Sequence, residues 1–200
     1  MQDFFKKVAM NQIQKSLQDH QYYLIIDLEA TCCNQRSFPR NQMEIIEIGA
    51  VMVARKGLAV VDEFQTFIQP VRNPQLTAFC RELTSIRQAD VDQAPQFPAA
   101  LESLQAWLTL FADYLFCSWG DYDQSQFEQD CHYHGLAYPF PAAHLNLKKQ
   151  FSITQGYKKR FGMAGALQKA GIPLQGTHHR GIDDARNMAK LMPWIISGSP

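Results

Sequence analysis

Residues 22–31 read Y-Y-L-I-I-D-L-E-A-T, an aromatic and aliphatic run interrupted only by Asp27 and Glu29. Such a run reads as a buried strand, and the two acids fall at its end. Alternate residues of a strand share a face, so Asp27 and Glu29 point the same way, about 7 Å apart along the chain. Two carboxylates on one side of a buried strand repel each other and are costly to desolvate. Whatever the chain folds into must open that strand end to water or bring positive charge to it.

The remaining pattern supplies the frame around this strand. E-I-I-E-I-G-A-V-M-V-A-R-K-G at 44–57 predicts a long strand stopping at Lys56-Gly57, and L-A-V-V-D-E-F-Q-T-F-I-Q-P at 58–70 predicts its hairpin partner. Pro70 and Pro74 mark the exit into a helix-rich stretch, in which Leu83-Thr84 opens a turn or helix and Phe97-Pro98 introduces a longer one. Y-L-F-C-S-W-G at 114–120 reads as a short buried strand, and 125–134 as a polar helix. L-N-L-K-K-Q-F at 145–151 reads as a brief strand or helix entry, followed by helices over 163–170, ending at Gly171, and over 182–192. This order predicts an α/β fold with a mixed β-sheet of about five strands flanked by helices. Residues 1–20 form an amphipathic helical extension in this reading, with Phe4, Phe5, Val8, Ile13 and Leu17 at the helical period, packed on the core or on a partner. Residues 21–195 form one domain and 196–200 a loose tail.

Composition narrows the class. The 200 residues are 46% hydrophobic and 12% aromatic, which excludes disorder for most of the chain. Lys+Arg and Asp+Glu number 19 each, so a sticky polycation is excluded. The balance is uneven, however: residues 1–140 carry 10 basic against 17 acidic residues, and 141–200 carry 9 against 2. The basic part includes Lys148, Lys149, Lys158, Lys159, Arg160 and Arg180, a set that could neutralise phosphates or simply form a solvated face. The five cysteines include no C-x-x-C pair, which fits neither a disulfide framework nor a structural zinc site. Cys32, near the acidic strand end, reads as a buried structural thiol. No signal peptide and no membrane-length apolar segment is read, so the expected location is cytoplasmic, with no membrane partner.

Two further clusters deserve weighing against the Asp27-x-Glu29 pair. Asp123 follows the strand at 114–120 and could do no more than cap the helix after it. T-H-H-R-G-I-D-D-A-R at 177–186 places a His five residues before an Asp at a helix start. The doublets leave two registers open, His179 with Asp184 or His178 with Asp183, and Asp183 could equally pair with Arg180 or Arg186. Each cluster has an ordinary structural explanation. Taken together they supply carboxylates from two strand ends and a late helix, a set suited to hard divalent cations, with a His fit to take a proton from water.

The ordered set Asp27-x-Glu29, Asp123 and His179-x-x-x-x-Asp184 resembles the DEDDh 3′-to-5′ exonucleases, which have a ribonuclease H-like fold. The resemblance extends to D-L-E-A-T-C at 27–32, E-I-I-E-I at 44–48, Leu83-Thr84, Val91-Asp92, residues 119–127 and H-R-G-I-D-D-A-R-N at 179–187. In these the chain is similar to the histone-mRNA 3′-end and RNAi-enhancing branch and its bacterial KapD-like members. The resemblance implies two divalent cations, Mg²⁺ or Mn²⁺, held by Asp27, Glu29, Asp123 and Asp184. Asp27 would bridge them, and His179 would be the general base. The family pattern selects His179 and Asp184 from the doublets. Leu28, Ala30 and Thr31 fall where relatives hold the terminal nucleotide. The implied partners are 3′ ends of single-stranded nucleic acid, RNA more than DNA, released as nucleoside 5′-monophosphates. Two other readings use the same residues: a non-catalytic regulatory protein on this fold, and a phosphodiesterase of small nucleotides.

Overall fold

The computed structural model describes residues 19–35, 37–140 and 143–199. The amphipathic extension expected over 1–20 therefore lies, but for its last two residues, outside the described part. Five strands make one sheet: β1 (Tyr22–Ala30), β2 (Ile45–Ala54), β3 (Val60–Phe67), β4 (Tyr114–Ser118) and β5 (His144–Asn146), in the order β3-β2-β1-β4-β5. The β1–β2 and β2–β3 pairs are antiparallel, and β4 and β5 run parallel to β1. The sheet is thus mixed, as the hairpin followed by helix-separated strands implies.

Seven helices are described: α1 (Ala78–Thr84), α2 (Gln88–Asp92), α3 (Phe97–Leu108), α4 (Tyr122–His134), α5 (Leu147–Thr154), α6 (Met163–Ala170) and α7 (Gly181–Ile196). Alternation along β1 sorts the longer helices into two layers, while α1 and α2 pack through Cys80 and Val91 in a smaller cluster with Ile46 of β2. Tyr23 and Ile25 join the core packed by Phe151 of α5, Leu167 of α6 and Met188, Leu191 and Met192 of α7. Leu24, Ile26 and Leu28 face the other way, onto Leu101 and Leu104 of α3 and Phe127 of α4. Asp27 and Glu29 have the parity of Tyr23 and Ile25, so the strand's own pleat aims them at the α7 side. Among the described residues, no helix is long and apolar enough to cross a membrane.

Three local expectations shift. Leu83-Thr84 closes a helix rather than opening one. Thr77 caps the start of α1 by accepting from the Cys80 N–H (3.0 Å), and Ser85 ends it in the left-handed region at φ 60°. The polar helix α4 starts at Tyr122, so Asp123 lies in its first turn and the N-cap position is Asp121. Helix α7 runs past Met192 and through Pro193 to Ile196, and Gln155 Nε2 donates to the Gly198 carbonyl (3.0 Å), which fastens part of the expected tail.

The close approach of α7 to the sheet depends on two glycines. A methyl group on Gly49 of β2 would sit 2.1 Å from the Gly181 carbonyl carbon and 2.1 Å from the Ile182 nitrogen. One on Gly181 would sit 2.9 Å from the Asp27 carbonyl oxygen. Backbone thus rests on backbone where α7 begins, opposite the Gly49–Asp27 register pair. Gly49→Ala must push α7 off the sheet, and overpacking of this kind costs about 1–3 kcal/mol or more. Urea denaturation should place Gly49→Ala at least about 3 kcal/mol below the parent, since both colliding groups are main chain.

Candidate functional site

The carboxyl ends of the parallel neighbours β1 and β4 open into a cavity of about 390 Å³, beside the edge where the chain turns back into antiparallel β2. Asp27, Glu29, Asp123, His178, His179 and Asp184 all line it. Carboxylate oxygens of Asp27, Glu29 and Asp184 lie within 4.8 Å of one another. Asp123 reaches the cavity from α4, where its Oδ1 accepts the Leu28 N–H at 3.0 Å. That bond goes to the backbone of the residue between Asp27 and Glu29, which ties the third acid to the strand carrying the first two.

Burial and crowding shape the charges. Burial pushes the Asp27 carboxyl well above the ordinary range, helped by the negative charges of Asp123, Glu29, Asp184 and Glu47. Burial likewise raises Glu29 to about 9, with Asp184 and Glu47 adding to it. Asp123 rises to about 6, again through burial, held back by its bond from Leu28 N–H. Burial raises Asp184 too, opposed by His178. An all-oxygen cluster whose members repel each other is a donor set that fits hard divalent cations such as Mg²⁺ or Mn²⁺.

The raised values carry a stability consequence. Well below pH 3.8 these carboxyls are protonated in both folded and unfolded chains; above about pH 4.5 the folded chain retains protons that the unfolded chain has released. Their contribution is therefore lost as pH rises toward about 9, the folded value of Glu29. In EDTA the melting temperature should fall between pH 5 and 9. Millimolar Mg²⁺ should restore it, more strongly at pH 8 than at pH 5.5. Equal Mg²⁺ shifts at both values, measured by differential scanning fluorimetry, would count against a buried carboxylate cluster.

The doublets separate unequally. Asp184 lines the cavity, whereas Asp183 turns to a different one, accepting from the Thr177 N–H (2.9 Å) and pairing with Arg186 (3.2 Å). Both histidines face the site. His179 adopts φ 64°, a left-handed conformation that stacks its ring on that of His178, with centroids 4.0 Å apart. His178 Nδ1 lies 2.9 Å from Asp184 Oδ2, and the His179 main-chain N–H donates to the same oxygen at 3.0 Å. Burial lowers the His179 pKa, as does the neighbouring His178.

Arg180 does not pair with Asp183. Its Nε lies 3.1 Å from Glu47 Oε2, and the Gly181 N–H donates to the same oxygen (3.1 Å). Glu47 is fully buried and stands opposite Glu29 in the β1–β2 register. It anchors the loop carrying both histidines to the sheet. The only sequence sign of it was an acid inside an apolar strand.

Leu28 and Ala30 line the cavity, but Thr31 does not. Thr31 is buried beside Glu44: its hydroxyl accepts the Glu44 N–H (2.9 Å) and its own N–H donates to the Glu44 carbonyl (2.8 Å). These two bonds tie it to the chain beside Glu44 rather than to the cavity wall. The apolar wall comes instead from Met43, Leu83, Trp119, Tyr122 and Met163, which no motif singled out as site residues. Cys32 also lines the cavity, half-buried, while packing against the small core cluster that holds Cys80.

Comparison with known proteins agrees with this geometry. The family model described as "Exonuclease" matches residues 24–192. ERI1 exoribonuclease 3 of Mus musculus is 34% identical over 187 residues, covering 88% of this chain and 53% of its own length. The 3′-5′ exoribonuclease 1 of Homo sapiens is 30% identical, covering 96% of this chain and 57% of its own. The chain thus spans just over half the length of these two relatives. The solved nuclease domain of 3′hExo, a DEDDh family member bound to rAMP, superposes with a TM-score of 0.79 at 29% identity, covering 90% of this chain and 93% of that one. The chain belongs to the exonuclease family, in its DEDDh, ribonuclease H-like form.

Proposed function

We propose that the protein is a 3′-to-5′ exonuclease that shortens single-stranded nucleic acid, RNA in preference to DNA, and releases nucleoside 5′-monophosphates. The observation carrying this reading is the convergence of the Asp27, Glu29 and Asp184 carboxylates within 4.8 Å in a cavity that also holds Asp123 and His179. The family works with divalent metal ions. Here the proposal is two of them, Mg²⁺ or Mn²⁺. Asp27, Glu29 and Asp184 hold one, and Asp123 with Asp27 serves the second. When bound, such cations stabilise charge on the phosphoryl and leaving oxygens and make water more acidic.

In this reading the chain's own residues do the rest. Leu28 and Ala30, with the apolar wall around them, seat the terminal nucleoside, so the last phosphodiester lies over the carboxylates. His179 accepts a proton from the attacking water. The water oxygen bonds to phosphorus and the bond from phosphorus to the 3′ oxygen breaks. That oxygen is protonated to become the new 3′ hydroxyl of the shortened strand. The preference for RNA is supported by relatives that are named exoribonucleases and by the rAMP-bound neighbour.

The test is incubation with 5′-labelled single-stranded RNA and DNA of equal sequence, with Mg²⁺, with Mn²⁺ and with EDTA. A ladder of 3′-shortened products that requires metal, faster on RNA, is expected. No ladder in either metal would refute the reading, and cleavage confined to dinucleotides would replace it with a small-nucleotide phosphodiesterase.

A further inference from the structure

Beside the catalytic cavity lies a second one of about 260 Å³, lined by Asp121, His144, Asn146, Lys149, Gln150 and Arg160 among others. Two short chain segments run from one cavity into the other. On one side, Asp121 lines the second cavity while Tyr122 and Asp123 line the first. On the other, Arg160 lines the second while Gly162 and Met163 line the first. Trp119 Nε1 donates to the Phe161 carbonyl (3.1 Å), which locks the two segments together where the cavities meet.

Positive charge is concentrated along this path. Lys148 and Lys149 lie in the first turn of α5, and Lys158, Lys159 and Arg160 stand exposed in the loop after it. Among the described residues none of these five cations is in an ion pair, whereas four arginines, Arg72, Arg87, Arg180 and Arg186, are. The loop is not a loose tether. Ser152 Oγ donates to the Lys159 carbonyl (3.1 Å), and the rings of Tyr157 and Phe161 pack together at 5.0 Å. Lys148 Nζ lies 3.7 Å from where a Cβ of Gly120 would stand, at the junction between the cavities. Among the described residues the one acid lining the second cavity, Asp121, is engaged by Asn146 Nδ2 at 2.8 Å.

We propose that the second cavity and its flanking lysines and arginine form a phosphate track, which grips the backbone of single-stranded nucleic acid on the 5′ side of the nucleotide being removed. This rests on the exonuclease reading, which puts the 3′ end in the first cavity. From there the strand leaves over the Trp119–Phe161 junction, and its next phosphates meet Lys149 and Arg160. Acids gather the metal at the chemistry, and unpaired cations hold the strand outside it. Contacts made to phosphate read neither base nor sugar, so the track serves RNA and DNA alike.

The test compares the full chain with a Lys149→Gln/Arg160→Gln double variant, both exposed positions, on octanucleotides and dinucleotides of RNA and of DNA. For the octanucleotides the variant should raise KM about tenfold and move kcat far less, and the slope of log KM against log salt should fall by about 0.7 for each cation removed. Dinucleotides end within the first cavity and should lose far less, so the preference for length shrinks. Unchanged octanucleotide KM and salt slope would overturn the track, as would an effect on RNA alone, which would mean that ribose is being read. Polyglutamate competing as well as an oligonucleotide would make the patch a protein-docking face and also overturn it. Fluorescence anisotropy of a labelled octanucleotide in EDTA reads the same loss without turnover. If the parent shortens neither length, the exonuclease reading fails, and the anisotropy arm still decides whether the track binds.

Discussion

Asp27→Asn should lower 3′ shortening of labelled RNA by at least about 10³-fold in saturating Mg²⁺ or Mn²⁺, equivalent to about 4 kcal/mol of lost transition-state stabilisation. Asp27 is at the centre of the electrostatic cluster, since Asp123, Glu29, Asp184 and Glu47 all raise its pKa. Its substitution removes one charge that the proposed cations need and relieves repulsion among those that remain. The two effects have opposite signs in different measurements. Activity falls, while the melting temperature in EDTA at pH 8 should hold or rise, because a neutral amide of nearly the same shape needs neither a buried charge nor a proton taken up on folding. The Mg²⁺-dependent gain in melting temperature should shrink as well. A variant that keeps parental activity would remove Asp27 from the chemistry. One that loses activity together with its fold would leave Glu29→Gln to decide the point by the same three measurements.

The second large effect separates the histidines. His179→Ala should cost about 10²–10⁴-fold in kcat, the usual contribution of a positioned general base. His178→Ala should cost markedly less, about tenfold at most, because its visible work is to bond Asp184 and stack on its neighbour. The geometry makes this a real contest. His178, not His179, brings a ring nitrogen to the Asp184 carboxylate, at 2.9 Å. His179 contributes its main-chain N–H to that carboxylate. That arrangement leaves the His179 ring facing the cavity with no carboxylate partner among the bonds described. Single-turnover rates for both variants would settle which ring takes the proton, and equal losses would transfer that role to the pair.

Much of this molecule is legible in its residue order. Near-continuous apolar runs mark β1 and β2, Lys56-Gly57 marks the turn between β2 and β3, and Gly171 marks the end of α6, where it adopts φ 70°. The ends of elements are less legible. The start of α4 at Tyr122 and the continuation of α7 through Pro193 are set by packing against the sheet, which local propensity does not report. Thr31 illustrates a different limit. Its place beside Asp27-x-Glu29 suggests a ligand contact, and only the fold shows that it is buried against Glu44 and does not line the cavity. The apolar wall was hidden for a similar reason, because Met43, Leu83 and Met163 look like core residues until the fold opens a cavity beside them.

The sequence alone determined which acids are available, in what order, and that Asp27 and Glu29 must share a face, since strand alternation is a local property of the backbone. It also determined that positive charge collects after residue 140. The resemblance had singled out Asp184 from its doublet; only the tertiary structure decided that Asp183 turns to another cavity, that Glu47 is an anchor, and that Lys149 and Arg160 line a cavity beside the carboxylate cluster. These are contacts between distant parts of the chain. They depend on the approach of α7 to β2 at Gly181 and Gly49, and on the Trp119–Phe161 bond. No periodicity or spacing carries that information, because a local pattern specifies which way a side chain points and not what the rest of the fold sets in front of it.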